Sequence, residues 1–480
     1  MLGSAIGCVL AAALSLTAWR GEDLYAPVPR SVKLGEAPAP LAMKVGSLRA
    51  VAYQEKPKND DWRMTFDRVQ WGSDLGGPRV VLISVPRDAK PGEYAIGELT
   101  LKVVDRVLPA PADRKFYLDL WQHPWAVARW NKCEPFSKEH YRAMLPLWKL
   151  LGSCGQRTIT TTIVPLPWNH QCFDGYGTMI GVREVSEGKF RYDYSVFDTY
   201  VAFSKRCGLG PYIACYSMVP WGDYVRWTGP DGKEKGHHLR PGTPEFAAYW
   251  QPFLADFTKH LKAKGWLDNT FIAIDERSPE AMKLLVDFIR ANGRGLKVSA
   301  CGNRKPSEYV GIVLDSFSLS IQFVTDEFVQ EAHERAKAGK ITTTYVCSGP
   351  YMPNTFMCSE HCEAHWLAVY QKVAGFSGLL RWAYNSWPED PMCDGSNGNW
   401  WSGDTFLVYP DGSPSARLLM LNNGIQAAEK WRICEEKGLF RERLAELASR
   451  YQLKTAFSTK LSYFRDLARD TDAVLNGDKE

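Results

Sequence analysis

The sequence predicts an α/β protein built on a closed (β/α)8 TIM barrel, with an N-terminal antiparallel β-sandwich before it and a short helical extension after it. Three observations predict this. From Phe116 to Trp382, strand-like runs alternate with helix-like ones through eight units, the rhythm of parallel strands joined by helical crossovers. Up to Ala112 the chain instead reads as short strands separated by Gly, Pro and Asp clusters. Polar and aromatic residues also gather just after several barrel strands, where a barrel builds its active site. At 480 residues the chain exceeds one ordinary domain. The divisions fall at 1–112 for the sandwich, 113–437 for the barrel and 438–480 for the extension.

In the first segment the strands are Leu48 to Tyr53, Met64 to Val69, Val80 to Val85 and Glu98 to Val104, and LPAPADRK reads as a linker. Phe116 to Leu120 is the first barrel strand, and HYRAMLPLWKLLG is a helix stopped by Gly152. Thr158 to Val164 is the second strand, rich in β-branched residues. YSVFDTYVAFSKRCG supplies a helix and PYIACYS the third strand. The next helix has Phe246, Tyr249, Trp250, Phe253, Leu254, Phe257 and Leu261 on one face, with Gly265 closing it. Phe271 to Ile274 is the fourth strand. Lys297 to Ala300, Ser316 to Leu319, Ile341 to Cys347 and Gly378 to Trp382 follow, each alternating with a helical segment. Beyond the barrel, Leu444, Leu447, Tyr451, Leu461, Phe464 and Leu467 form amphipathic stripes that pack on the barrel or on a second subunit, so a homodimer is one arrangement they would serve.

A net charge of +4, thinly spread, supplies no basic block for nucleic acid, and no apolar run reaches the roughly 18 residues of a membrane span. The 18 Trp, 21 Tyr and 21 Phe exceed what packing strictly needs, and several fall in loops after strands. Sugar-binding clefts use aromatic faces in that way, although core packing is the default for any single ring. The 12 Cys form no CxxC pair and read as buried thiols. Cys358, His361, Cys362 and His365 have metal-like spacing but no second ligand cluster, so neither metal nor cofactor is expected. Ala5 to Thr17 resembles a signal-peptide core without a preceding Lys or Arg, which suggests a secreted or periplasmic protein. Alternatively, LSLTAWRGE is already a strand.

The chemistry centres on FIAIDERSPE, where an apolar run ends on Asp275 and Glu276. A buried strand has no use for adjacent carboxylates, whereas a pocket at its end could use both. Alternation would send them to opposite faces, but the turn into the next helix, capped by Ser278 and Pro279, breaks it. Asn169 and His170 follow strand two, Tyr216 and Trp221 follow strand three, Tyr345 lies in strand seven, and Trp382, Tyr384, Asn385 and Trp387 follow strand eight. All are candidates for substrate binding. Such a site suits glycoside cleavage. Neighbouring acids fit poorly where two carboxylates must flank the anomeric carbon about 5 Å apart. They suit a reaction in which the sugar's 2-acetamido oxygen attacks instead. Glu276 would then act as acid and base, and Asp275 would steady the amide and the oxazolinium charge.

HLKAKGWLDNTFIAIDER, ACYSMVPW, GLLRWAYNSW and GDTFLVYPDG resemble glycoside hydrolase family 123, the β-N-acetylgalactosaminidases that use substrate-assisted catalysis. The resemblance implies that Asp275 and Glu276 match that family's paired Asp and Glu, and that a β-sandwich precedes the barrel. Two stretches depart from the family pattern. CDGSNGNWWSGDT keeps Asp394 but has no Arg, and GIQAAEK carries Ala427 and Ala428 in place of an acidic and an aromatic residue. The expected substrate is an oligosaccharide or glycoconjugate with β-linked N-acetylgalactosamine or a related 2-acetamido sugar. Two alternatives stay open: two-carboxylate chemistry on another glycan with Asp223 or Asp394 as the distant partner, or a carbohydrate-binding barrel without turnover.

Overall fold

The computed structural model describes residues 15–54, 61–72, 76–458 and 461–477, so the signal-like run lies outside the described residues up to position 14. The chain forms two compact units: residues 1–116, 346–374 and 387–480 make one, and 117–345 with 375–386 make the other.

The first unit contains two sheets. Strands β1 (Ser15–Arg20), β2 (Asp23–Pro27), β3 (Ala42–Gln54), β4 (Trp62–Trp71), β5 (Arg79–Ser84), β6 (Gly92–Ile96) and β7 (Leu99–Val107) are arranged as β1-β7-β6 and β2-β5-β3-β4. LSLTAWRGE is therefore strand from Ser15. The β1–β7 pair runs parallel, a departure from the purely antiparallel sandwich expected. A core of Ala18, Val81, Ile83, Ile96, Leu101 and Val103 is contributed by both sheets, as alternating inward residues dictate. Helices His361–Val373 and Ala416–Glu436 belong to this unit. The Arg417 guanidinium, 1% exposed like its partner, grips the Asp67 carboxylate with Nε and Nη2, each at 2.8 Å. Its Nη1 donates to the carbonyls of Thr355, Gly403 and Phe406, and Tyr409 donates to Asp67 at 2.6 Å. Every charge in this buried pair is thus hydrogen-bonded, the condition under which such a pair is tolerated.

The second unit is the barrel. Its strands are β8 (Tyr117–Leu120), β9 (Thr158–Thr162), β12 (Tyr212–Tyr216), β15 (Thr270–Ile274), β16 (Lys297–Gly302), β17 (Ser316–Ser320), β18 (Ile341–Tyr345) and β19 (Gly378–Arg381), all parallel. Their order is β8-β19-β18-β17-β16-β15-β12-β9. Between β8 and β9 the ring closes mainly through side chains. Gln156 Oε1 accepts from Leu120 N at 3.0 Å, and its Nε2 donates to Leu120 O at 3.1 Å and Thr158 O at 2.7 Å. Gln122 Oε1 accepts from Thr160 N at 2.8 Å. One backbone bond, Arg157 N to Leu118 O at 2.8 Å, crosses this seam, and the two glutamine amides extend the closure beyond it.

Helices follow the strands as the apolar periodicity requires. Pro244–Lys264 buries the seven residues expected of it and ends at Gly265, whose φ of 68° lets its N–H reach back to Leu261 and Lys262. The fifth crossover differs. After β16 there is only a 3-10 turn, Pro306–Tyr309, before β17, where a helical segment was expected. Pro306, Gly311 and the β-branched Val310, Ile312 and Val313 leave no stretch able to propagate a helix. The loops after β9 and β12 instead grow a separate sheet from β10 (Gly181–Ser186), β11 (Lys189–Asp193), β13 (Tyr224–Thr228) and β14 (Glu234–His238), in the order β11-β10-β13-β14.

Replacing Gln156 with Leu should leave the Leu120 N–H without its side-chain partner, while its C=O keeps Gln122 Nε2, and lower stability by about 1–3 kcal/mol, read as a lower thermal midpoint. Arg417→Met should cost about 3–5 kcal/mol by stranding the Asp67 charge, and the double variant with Asp67→Asn should recover part of that loss.

Candidate active site

Strand β15 is buried at all five positions and ends in the turn that carries the acids. Glu276 has φ of 33°, outside the range a strand allows. For a residue other than glycine this costs of order 1–3 kcal/mol and persists only where the surroundings enforce it. The turn does what the sequence requires of it: it breaks the alternation that would hold consecutive side chains on opposite faces. Ser278 then caps the helix Pro279–Asn292 by accepting from Ala281 N at 3.3 Å, with Pro279 in the first turn.

The two carboxylates meet different surroundings. Glu276 Oε2 accepts from Asn303 Nδ2 at 3.0 Å, and Oε1 accepts a short hydrogen bond from the Tyr345 hydroxyl. Asn303 follows β16 directly and Tyr345 ends β18, so three barrel strands converge on one carboxylate. Asp275 is 9% exposed. Burial pushes its carboxyl well above the usual range, and the neighbouring Glu276 charge pushes it further. Trp168, Arg277 and Trp221 act in the opposite direction. The Trp168 and Trp221 indole N–H groups are turned to Asp275 without completing hydrogen-bond geometry with any described residue. Beneath them, Tyr216 packs on Trp121 at 4.6 Å and on Trp168 at 4.9 Å, and Trp121 stacks on Trp168 at 5.1 Å. A proton sits readily on Asp275, in an aromatic pocket, while the oxygens of Glu276 collect donors.

Arg277, the next residue, is directed away from the acids and donates to Asp223, which Arg240 also approaches at 3.6 Å. Below the aromatic pocket lies a small polar cavity bordered by Asp119, Thr158, Ser299, Ser316, Ser318 and Thr343. Burial raises the Asp119 carboxyl to about 7.

Of the residues singled out from the sequence, Asp275, Glu276, Tyr216, Trp221 and Tyr345 are brought together. The Tyr345 hydroxyl donates to Glu276. Asn169 and His170 are exposed on the loop after β9, with the Asn169 amide beside Gly222. Trp382 is buried at the end of β19. The other three residues after strand eight are corrected by their packing. Tyr384 is fully buried and donates to Leu147 O at 2.9 Å. Asn385 is fully buried and exchanges two hydrogen bonds with the His123 backbone, at 2.9 and 3.0 Å. Trp387 is fully buried, belongs to the first unit and donates to Val408 O at 2.7 Å. With every polar group consumed internally, these three brace the fold in place of the substrate contact expected. Sequence reasoning pointed to Trp168 after strand two but missed Trp121 and Asn303 as site residues. Asn303 was discoverable, because a polar residue directly after a barrel strand marks the catalytic face. The clustering of Trp121 with Trp168 and Tyr216 depends on three separate strands and leaves no local signal.

A family model described as "Glycoside hydrolase 123, catalytic domain" matches residues 121–434. No curated protein matches the chain. A family 123 glycoside hydrolase from Clostridium perfringens, studied structurally for glycolipid glycan hydrolysis, superposes with a TM-score of 0.83 at 25% identity, over 96% of this chain and 93% of that one. Far looser likenesses are a Clostridium thermocellum xylanase 10B, with a TM-score of 0.35 at 8% identity over 84% of this chain and 87% of that one, and a β-galactosidase from Marinomonas ef1, with 0.38 at 12% over 68% and 61%. The match along most of the barrel sequence, together with a superposition over nearly the whole chain, establishes that this glycosidase belongs to glycoside hydrolase family 123.

Proposed function

We propose that the enzyme hydrolyses β-linked 2-acetamido sugars, N-acetylgalactosamine ahead of N-acetylglucosamine, with the substrate's own acetamido oxygen as nucleophile. The observation that carries this reading is one pair of consecutive acids divided between two environments. Consecutive residues do not offer an acid and a nucleophile on separate strands about 5 Å apart, as most retaining glycosidases do. Asp223 is already engaged by Arg277 and Arg240, and Asp394 accepts from Ser396 N at 2.8 Å within its own turn. Asp223, held by two guanidiniums, is poorly placed to serve as a distant carboxylate partner.

Burial and the Glu276 charge raise the Asp275 carboxyl, so in the resting site it takes up a proton readily. An acetamido N–H that donates to Asp275 favours its ionised form, so the proton passes to Glu276 as substrate binds. Glu276 then protonates the departing glycosidic oxygen while the acetamido oxygen closes on the anomeric carbon. The ionised Asp275 steadies the positive oxazolinium from within a dry aromatic pocket, where its charge is little screened. Water activated by Glu276 opens the ring and retains the configuration. Asn303 and Tyr345 position the Glu276 carboxylate through both steps. The hydrolysis of glycolipid glycans by the Clostridium perfringens relative makes glycolipid headgroups a substrate class to try first.

The reading is tested with aryl 2-acetamido-β-galactosides. Glu276→Gln should slow substrates with poor leaving groups most, Asp275→Asn should slow all of them, and a thiazoline analogue should inhibit. Equal turnover of the matching aryl β-galactoside, which lacks the acetamido group, would refute acetamido participation. Asn303→Ala and Tyr345→Phe should each lower kcat by roughly tenfold to a hundredfold with little change in KM, because they misplace the acid without removing it. Asp275 also links stability to pH. Its carboxyl is raised in the folded protein, so the folded state holds a proton the unfolded state has released, and stability falls as pH rises through that interval. Asp275→Asn should therefore melt about 2–4 °C higher than the parent near neutral pH for each kcal/mol recovered, with the difference vanishing below the ordinary carboxyl range.

A further inference from the structure

The sheet β11-β10-β13-β14 has a packed face and a solvent face of opposite character. On the packed face Phe190 and Trp227 meet Tyr249, and Tyr192 meets Phe253. Glu184 there takes up Lys235 at 3.0 Å and the Trp227 indole at 3.3 Å. On the solvent face Arg183 stands directly opposite Arg191 across the antiparallel β10–β11 pair. Like charges so placed are destabilising. Neither guanidinium has an ion-pair partner among the described residues, nor has Lys189 on the same strand. Two acids of this face are engaged, Glu234 by Arg226 at 3.1 Å and Asp193 by Ser195 N at 2.9 Å, while Glu187 stands in the β10–β11 turn.

The sheet is tied to the catalytic turn. Strand β13 begins immediately after Asp223, the partner of Arg277, which follows Glu276 in the chain. At about 3.3 Å per residue, Arg226 stands roughly 10 Å beyond Asp223. Thr228, which is paired with Arg183, stands roughly 17 Å beyond it. Two forked guanidiniums carried on directly paired residues can donate in parallel to the oxygens of a carboxylate or sulfate. We propose that this face binds the carboxylate or sulfate of an acidic sugar in the aglycone of the glycan being cleaved, so that the enzyme prefers acidic over neutral chains. The proposal rests on the glycan-hydrolase reading above and adds the charge class of its substrate.

The test uses a pentasaccharide of alternating N-acetylgalactosamine and glucuronate with a non-reducing β-N-acetylgalactosamine, and its carboxyl-reduced counterpart. Binding is measured by calorimetry in full-length Glu276→Gln protein, so that the ligand is not consumed. The acidic chain should bind about tenfold tighter than the reduced one. Arg183→Ser with Arg191→Ser should erase that difference, as should raised salt, while the turnover of a neutral aryl 2-acetamido-β-galactoside by the same double variant stays unchanged. Equal affinity for the two chains would overturn the proposal. So would arginine-dependent binding to phosphatidylserine vesicles in place of the acidic chain. If the unaltered enzyme fails to turn over the aryl glycoside, that result falls on the catalytic reading, and the calorimetric comparison still decides this one.

Discussion

The left-handed backbone at Glu276 is the constraint on which the site depends. An ordinary strand ending would present one acid to the barrel mouth and hide the other behind the wall. One residue with positive φ turns the chain so that Asp275 enters an aromatic pocket and Glu276 meets donors from two neighbouring strands. The local strain is held by what surrounds it: a fully buried strand before it, a capped helix after it, and the Arg277–Asp223 pair beside it. The same turn accounts for the electrostatics. It places the Glu276 charge close enough to raise the Asp275 carboxyl further, and it decides which one is buried.

Stability and chemistry pull in opposite directions here. A buried acid, and indole N–H groups not fully satisfied beside it, are costs that packing elsewhere must offset. The fold is equipped to do so. In one unit a guanidinium–carboxylate pair is saturated with hydrogen bonds, and in the other two glutamine amides complete the barrel where the ladder stops.

The barrel was legible because its signals are local. Apolar runs of four or five residues, periodic helix faces and capping residues set the strand order's raw material, and the paired acids identify themselves by being where a core strand tolerates no charge. The missing fifth helix was legible too, in Pro306, Gly311 and a β-branched run, although an expectation of regular alternation overrode it. What local text does not encode is which aromatic residues face a cavity. WAYNSW reads as a sugar platform until Tyr384, Asn385 and Trp387 are seen to spend their polar groups on Leu147, His123 and Val408. Those partners lie far away in sequence, and a solvent-facing ring and a core ring have the same spelling. The aromatic cluster of Trp121, Trp168 and Tyr216 is assembled only when three strands are brought into register.

The Asn385 side chain exchanges hydrogen bonds with the backbone of His123, which fastens the loop following the last barrel strand to the loop following the first. The loop after β9 joins the same bolted sector, since Ser386 Oγ donates to Cys172 Sγ at 3.1 Å and His123 Nε2 lies 3.1 Å from Asp174 O. A change in any one of these three loops must therefore satisfy the other two, so divergence toward new glycans is channelled to parts of the rim outside them.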